Sequence, residues 1–152
     1  MWHATLTYDT LGRLLTRTVG GATTSFTYDK VGQLTKTTLP DGSFLENTYD
    51  AAHRLTAITD NTGNKIQFTL DAAGNRTAEQ VKDPGGVLKR TLTRTYNSLS
   101  QPTQTVAGAG QTTTFAYDAN GNPTTTTLDP AGLNQATTQA FDALNRVTMT
   151  TQ

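Results

Sequence analysis

The sequence predicts an all-β fold of stacked antiparallel hairpins, forming a spiral or curved repeat sheet, and three observations lead there. A frame that begins Tyr-Asp returns at Tyr8, Tyr28, Tyr49, Leu70, Tyr96, Tyr117 and Phe141, at intervals of 20 to 26 residues. Thr supplies 34 of the 152 residues, and its β-branched, half-polar side chain suits a pleated strand better than a helix. Turn-forming residues recur so often that only 5 to 8 residues remain for each extended segment, too few for a useful helix. A motif recurring at this period describes an architecture before it describes a site.

The first frame, Tyr8-Asp9-Thr10-Leu11-Gly12-Arg13-Leu14, shows how each unit is built. Asp9 suits the first position of a type I turn. Gly12 suits the fourth, where a positive φ closes the loop as a bulge. The arms are then Thr7-Tyr8-Asp9 and Arg13-Leu14-Leu15. With Asp9 opposite Arg13, Tyr8 faces Leu14 and Leu6 faces Thr16 on one side. Thr7, Asp9, Arg13, Leu15 and Arg17 are expected on the other.

Later frames follow with small changes. Tyr28-Asp29 with Gly32 and Leu34 repeats the first closely, whereas Tyr49-Asp50 with Arg54 and Leu55 carries His53 in the glycine position. Asp71 with Gly74, and Tyr117-Asp118 with Gly121, keep the Asp-x-x-Gly spacing. Tyr96-Asn97 and Phe141-Asp142 with Arg146 are worn copies. Phe26 and Tyr28 are expected to meet Leu34, Tyr49 to meet Leu55, and Phe141 to meet Val147, giving a shared aromatic and aliphatic stripe. One hairpin is marginal in water, so the stripe stabilises only when neighbours continue it. Return strands are read in 15–19, 34–39, 55–59, around Val106, 124–128 and 147–150. They end in turns at Gly20-Gly21, Pro40-Asp41-Gly42, Asp60 to Gly63, Asp83 to Gly86, Gly108 to Gly110 and Asp129 to Gly132.

Composition narrows the function. Leu, Ile, Val and Phe together give 28 residues, yet the net charge is zero, so the chain reads as a sheet with much wet surface and not as a disordered tail. The absence of cysteine excludes disulfides and thiolate chemistry. No basic cluster supports nucleic-acid binding, no apolar run is long enough to span a membrane as a helix, and Met1 to Leu6 carries no visible signal peptide. No cofactor is implied. Residues 1–152 read as a single array of about seven hairpin repeats without a linker. The array opens and stops within strands and has no polar cap, as a segment of a longer array or a protein that covers its ends by self-association would.

The repeated Tyr-Asp-x-x-Gly-Arg-Leu, with Thr-rich strands and Pro-Asp-Gly turns between copies, resembles the YD-repeat or Rhs-repeat family over nearly the whole chain. The family includes bacterial Rhs toxins, the shell proteins of insecticidal toxin complexes and teneurins. The resemblance implies hairpins wound into a hollow β-shell, and in the toxins a container for a C-terminal toxic domain. The expected partners are the remainder of a longer shell or copies of the same chain, with a toxin domain as cargo. The expected location is secreted or cell-surface through a specialised export system, and cytoplasmic before export. The alternative is a self-associating or carbohydrate- or protein-binding surface without cargo.

Candidate chemistry is thin. Asp129-Pro130-Ala131-Gly132-Leu133 is similar to the sequence at which Rhs proteins cut themselves. Pro123 lies one residue off the expected spacing, however, and Asp83-Pro84-Gly85-Gly86 occupies an equivalent place, so an inter-strand turn is the reading adopted. Asp9-Arg13, Asp50-Arg54 and Asp142-Arg146 recur with the hairpin and read as structural pairs. His3 and His53 are too isolated for a metal site or a triad. The tyrosines could serve as sugar-stacking platforms, but opposite aliphatic partners they read as packing groups. The protein is read as a non-enzyme.

Overall fold

The structure, a computed structural model, describes residues 3–129 and 131–152. It is all-β. Fourteen antiparallel strands form one sheet in strict sequence order, and among the described residues the helical content is a single 3-10 turn, Gly108–Gly110. The strands are β1 Ala4–Tyr8, β2 Leu14–Val19, β3 Ala22–Tyr28, β4 Leu34–Thr38, β5 Phe44–Tyr49, β6 Leu55–Asp60 and β7 Lys65–Leu70. They continue as β8 Arg76–Lys82, β9 Leu88–Tyr96, β10 Pro102–Ala107, β11 Thr112–Tyr117, β12 Pro123–Leu128, β13 Gln135–Phe141 and β14 Val147–Thr151. The chain divides into two compact units, Met1–Phe68 with Val81–Lys89, and Thr69–Gln80 with Arg90–Gln152.

Among the described residues every strand belongs to the one sheet, and within each unit no second layer covers it. Among the described residues only Ala57 and Phe68 are buried, at 3% and 7% exposure. Stability must therefore come from half-buried rows that run across strands. In the first unit one row passes from Phe26 through Thr37 to Leu45, and another from Asn47 through Ile58 to Ile66. On the opposite face Lys36 lies 3.1 Å from Glu46, with its Nζ 3.5 Å above the centre of the Phe44 ring. In the second unit Phe115, Thr126 and Thr137 continue one row.

The register corrects one detail of the expected hairpin. Tyr8 does face Leu14, but Leu6 faces Arg17, and Thr16 faces Thr7. The return strand carries one extra residue just after the frame, Leu15, which forms a β-bulge. Beyond the bulge each residue changes face, so Arg17 shares the side of Leu6 and Tyr8. The same shift leaves Phe26 opposite Thr37, with Leu34 opposite Tyr28 alone.

The bulge recurs at Thr35, Thr56, Thr103, Thr124 and Thr148. It gives the abundant threonine a local task. The hydroxyls of Thr35, Thr56 and Thr148 donate to the carbonyls of Thr27, Thr48 and Ala140 across the strands at 3.1 to 3.2 Å. The Thr77 hydroxyl donates likewise to Thr69. An interrupted ladder leaves a carbonyl short of a partner, and the bulge threonine supplies one.

Candidate functional site

The repeated frame is the one constellation of side chains that recurs throughout the chain. In all seven copies the second residue donates its N–H to the carbonyl of the sixth at 2.9 to 3.0 Å, and the fifth donates back to the second at 2.9 to 3.2 Å. This is a type I turn closed by a one-residue bulge, and it demands a positive φ at the fifth residue of the frame. Gly12, Gly32, Gly74 and Gly121 supply it at φ 76 to 92, while His53, Ser100 and Asn145 hold φ 60 to 64. A Cβ added at Gly12 would meet nothing within 4 Å, so the glycine is required there by backbone conformation and not by crowding.

The Asp side chain secures the turn from within. One oxygen of Asp9 accepts from the N–H of Leu11 and of Arg13, both at 2.9 Å, and the other accepts from Arg13 Nε at 2.6 Å. Asp50, Asp118 and Asp142 repeat this pattern, with Arg54, Asn122 and Arg146 as the side-chain donors. Asp29 makes the two backbone bonds, and Asn97 replaces the carboxylate in the fifth copy. Donors surrounding a carboxylate favour its charged form. The backbone N–H of Arg13, Arg54 and Arg146 thus holds Asp9, Asp50 and Asp142 below the usual carboxylate range. The Asn75 and Asn122 amides do the same for Asp71 and Asp118. In the inter-frame turn at Asp60, the Asn64 and Thr62 side chains bring the pKa down to about 2.

Two positions of the frame reach beyond their own hairpin. The Tyr28 hydroxyl donates to the carbonyl of Leu14 in the preceding hairpin at 3.0 Å, and Tyr49 donates to Leu34 at 2.9 Å. In the second unit Tyr96 donates to Arg76 and Tyr117 to Pro102, at 3.0 and 2.8 Å. In the other direction the sixth residue of the frame reaches the next turn. Arg13 donates to the Asp29 carbonyl at 3.1 Å, with its guanidinium 4.8 Å from the Tyr28 ring centre. Gln33 donates to the His53 carbonyl, Gln101 to that of Gly121, and Asn122 to the Asn145 side chain. At these junctions tyrosine, the sixth residue or both thus form a staple to the neighbouring hairpin, while Leu70 and Phe141 have no hydroxyl to offer.

Sequence reasoning placed Tyr in a packing stripe and Arg in its own hairpin, and missed the staple. The available signal was the steady presence of a long donor, Arg, Gln or Asn, at the sixth position. The first and last frames differ from the rest. Tyr8 is 55% exposed and Arg146 is 73% exposed, against 28% for Arg13.

The remaining candidates gather no chemistry. Asp129 sits in a turn at φ 47, with its carbonyl accepting from Gly132 and Asn134 and its carboxylate from the Leu133 N–H. Pro130 of that stretch, and Met1 and Trp2 of the terminus, lie outside the described residues. His53 Nδ1 is 3.2 Å from the Gln33 side chain, in the contact between adjacent turns. No group of three or more metal-ligating residues occurs among the described residues. Among the described residues no helix is long and apolar enough to cross a membrane.

A family model described as RHS Repeat matches residues 8–43, 49–88 and 96–133. Among solved structures, the chain is similar to one in a Photorhabdus luminescens Tc holotoxin pore, with TM-score 0.78 and 17% identity over 97% of this chain. It is also similar to TcdB2-TccC3 without its hypervariable C-terminal region, with TM-score 0.76 and 19% identity over 95%. A further TcdB2-TccC3 structure gives 0.60 and 19% over 96%. At these identities the likeness is one of fold. The chain spans 9 to 10% of the length of those chains. No curated protein matches it.

Proposed function

This chain belongs to the RHS-repeat family, and from that premise we propose that it is a wall segment of a β-shell that encloses a toxic polypeptide. Residues 1–152 act as one array of hairpins within a longer shell, whose remaining hairpins and cargo are its partners. The observation that carries this reading is the staple. Within each unit, hairpins donate to their neighbours through the frame tyrosine, the sixth frame residue or both, as Arg13, Tyr28, Tyr49 and Tyr117 do, in a single sheet. A layer of that kind is stabilised by extension along itself, and extension is what a wall requires.

The frame residues are structural in this account. Tyr8, Tyr28, Tyr49, Tyr96, Tyr117 and Phe141 face their return strands, Asp and Gly set the turn, and Arg links turns. The segment contributes isolation and no catalysis of its own. Its likeness to Tc chains supports a secreted toxin, made in the cytoplasm and exported by a specialised system.

The test is protection from protease in the full-length gene product. A polypeptide encoded beyond the repeats should resist trypsin inside the intact product and be digested when produced alone. Equal digestion in both settings would refute enclosure.

A further inference from the structure

We propose that Asn120 is a site of spontaneous chemical modification: its side chain cyclises onto the backbone nitrogen of Gly121 and reopens as aspartate or isoaspartate, which loosens the seventh frame from the sixth. The inference stands apart from the wall reading and uses only residues inside the second unit.

The step is an intramolecular acyl transfer. The Gly121 backbone nitrogen gives its proton to solvent hydroxide and forms a bond to Asn120 Cγ. The Cγ–Nδ2 bond breaks, and the amide nitrogen leaves as ammonia with a proton taken from water. Water then opens the five-membered succinimide. Attack at the side-chain carbonyl gives aspartate, and attack at the backbone carbonyl gives isoaspartate, in which the main chain runs through Cβ and Cγ. A side chain on the following residue crowds this ring closure, and glycine has none. The chain has nine asparagines, and Asn120 alone precedes a glycine. Asn122 is followed by Pro123, which has no N–H to react. Asn120 is also exposed, at the turn position where other frames carry an aliphatic residue such as Leu11 or Leu99. Asp41-Gly42 is the nearest rival. The Ser43 hydroxyl and N–H hold the Asp41 carboxylate in its ionised form, however, and an ionised carboxylate resists nucleophilic attack.

The fold sets both the rate and the consequence. The Gly121 N–H donates to the Asp118 carbonyl at 3.1 Å, so this nitrogen is free to react only when the turn opens. Conversion is therefore coupled to local opening of the sixth frame. In the closed turn the side-chain amides of Asn120 and Asn122 both donate to Asn145 Oδ1, at 3.3 and 2.8 Å. Asn145 is the fifth residue of the seventh frame and holds φ 60. A carboxylate at position 120 sets an acceptor against that oxygen. Turning the Asn145 amide to present its NH2 group takes the oxygen away from Asn122, so one of the two bonds is lost in either arrangement. The new charge also enters a turn that already holds a carboxylate, since Asp118 Oδ1 accepts from the Asn120 N–H at 3.0 Å, and like charges at this range repel. Isoaspartate adds one carbon to the backbone before Gly121 and displaces its N–H from the Asp118 carbonyl.

Peptide mapping by mass spectrometry of the folded chain, aged in mildly alkaline buffer, tests the site. Residue 120 should convert to aspartate and isoaspartate at least about tenfold faster than any other asparagine, because no other is followed by an uncrowded nitrogen. The same chain unfolded in urea should convert about tenfold faster again, since the opening step is then complete. Ammonia release from the aged chain should fall to background in Asn120→Leu, which carries the residue that Leu11, Leu99 and Leu144 supply in their frames. The consequence is read with Asn120→Asp, whose folding equilibrium constant in urea should lie about fivefold below that of the parent, the loss expected for one hydrogen bond. Conversion at similar rates over several asparagines would overturn the proposal. So would a folded chain that keeps Asn120 over many half-lives of the unfolded one. An Asn120→Asp chain as stable as the parent would overturn the loosening of the seventh frame. Enclosure is judged separately, by protease protection.

Discussion

Removing single hydroxyls from the tyrosines tests the staple directly. Tyr28→Phe, Tyr49→Phe and Tyr117→Phe each delete one hydrogen bond of 2.8 to 3.0 Å to a carbonyl of the preceding hairpin and leave the ring in place. A net hydrogen bond of this kind contributes about 1 kcal/mol, within a range of roughly 0.5–1.5. The three bonds lie at separate junctions and share no partner, so their losses should add to about 3 kcal/mol in the triple variant. Tyr8→Phe is the internal control. It makes the same chemical change in the same frame position, but its hydroxyl has no acceptor among the described residues, so the expected loss is near zero. Urea denaturation followed by far-ultraviolet circular dichroism, at a concentration where the chain is monomeric, reads the difference. Equal losses for Tyr8→Phe and Tyr28→Phe would refute the reasoning, because the effect would then belong to the side chain and not to the junction.

Three further outcomes follow from the turns and bulges. His53→Gly should stabilise the protein by about 1 kcal/mol, since His53 holds φ 64 in a position where glycine carries no Cβ penalty, while Gly12→Ala at φ 76 should destabilise by a similar amount; thermal melts of the two variants would check the opposite signs. Thr56→Val keeps the β-branch but removes the hydroxyl that donates to the Thr48 carbonyl at 3.1 Å, and should lower the urea midpoint by about 1 kcal/mol in stability; a midpoint equal to the parent would contradict the role given to bulge threonines. Acid should destabilise the chain in a defined window. Asp9, Asp50, Asp60, Asp71, Asp118 and Asp142 all have folded pKa values below the unfolded value of 3.8, so the stability they contribute is present above pH 4 and is lost as the pH falls toward about 2, where Asp60 titrates. Melting temperatures measured from pH 5 to pH 2 should fall mainly below pH 4, and Asp60→Asn should fall less over that interval.

The repeat made the turns legible because turn chemistry is local. An Asp whose carboxylate meets N–H groups two and four residues on, and a residue with positive φ between them, are fixed by a few adjacent positions. The all-β class was legible for a similar reason, since threonine-rich segments of this length between turns leave few alternatives. The bulge was not legible. Leu15, Thr35 and Thr56 carry β-compatible side chains and nothing in their identity marks an extra residue, so alternation was carried one step too far and Leu6 was set against Thr16. The staple was illegible for a different reason. Tyr28 and Leu14 are far apart in sequence and meet only when two hairpins are docked in register, and a single frame shows a tyrosine that looks complete with Leu34 as its partner.

Electron cryomicroscopy of the full-length gene product tests the central claim most directly. The account predicts that these residues appear as a strip in the wall of a hollow shell, with a further strand against β1 and another against β14. It also predicts Tyr8 and Arg146 engaged as Tyr28 and Arg13 are here. Density that shows the segment outside any enclosing wall, with both of these edges facing solvent, would contradict it.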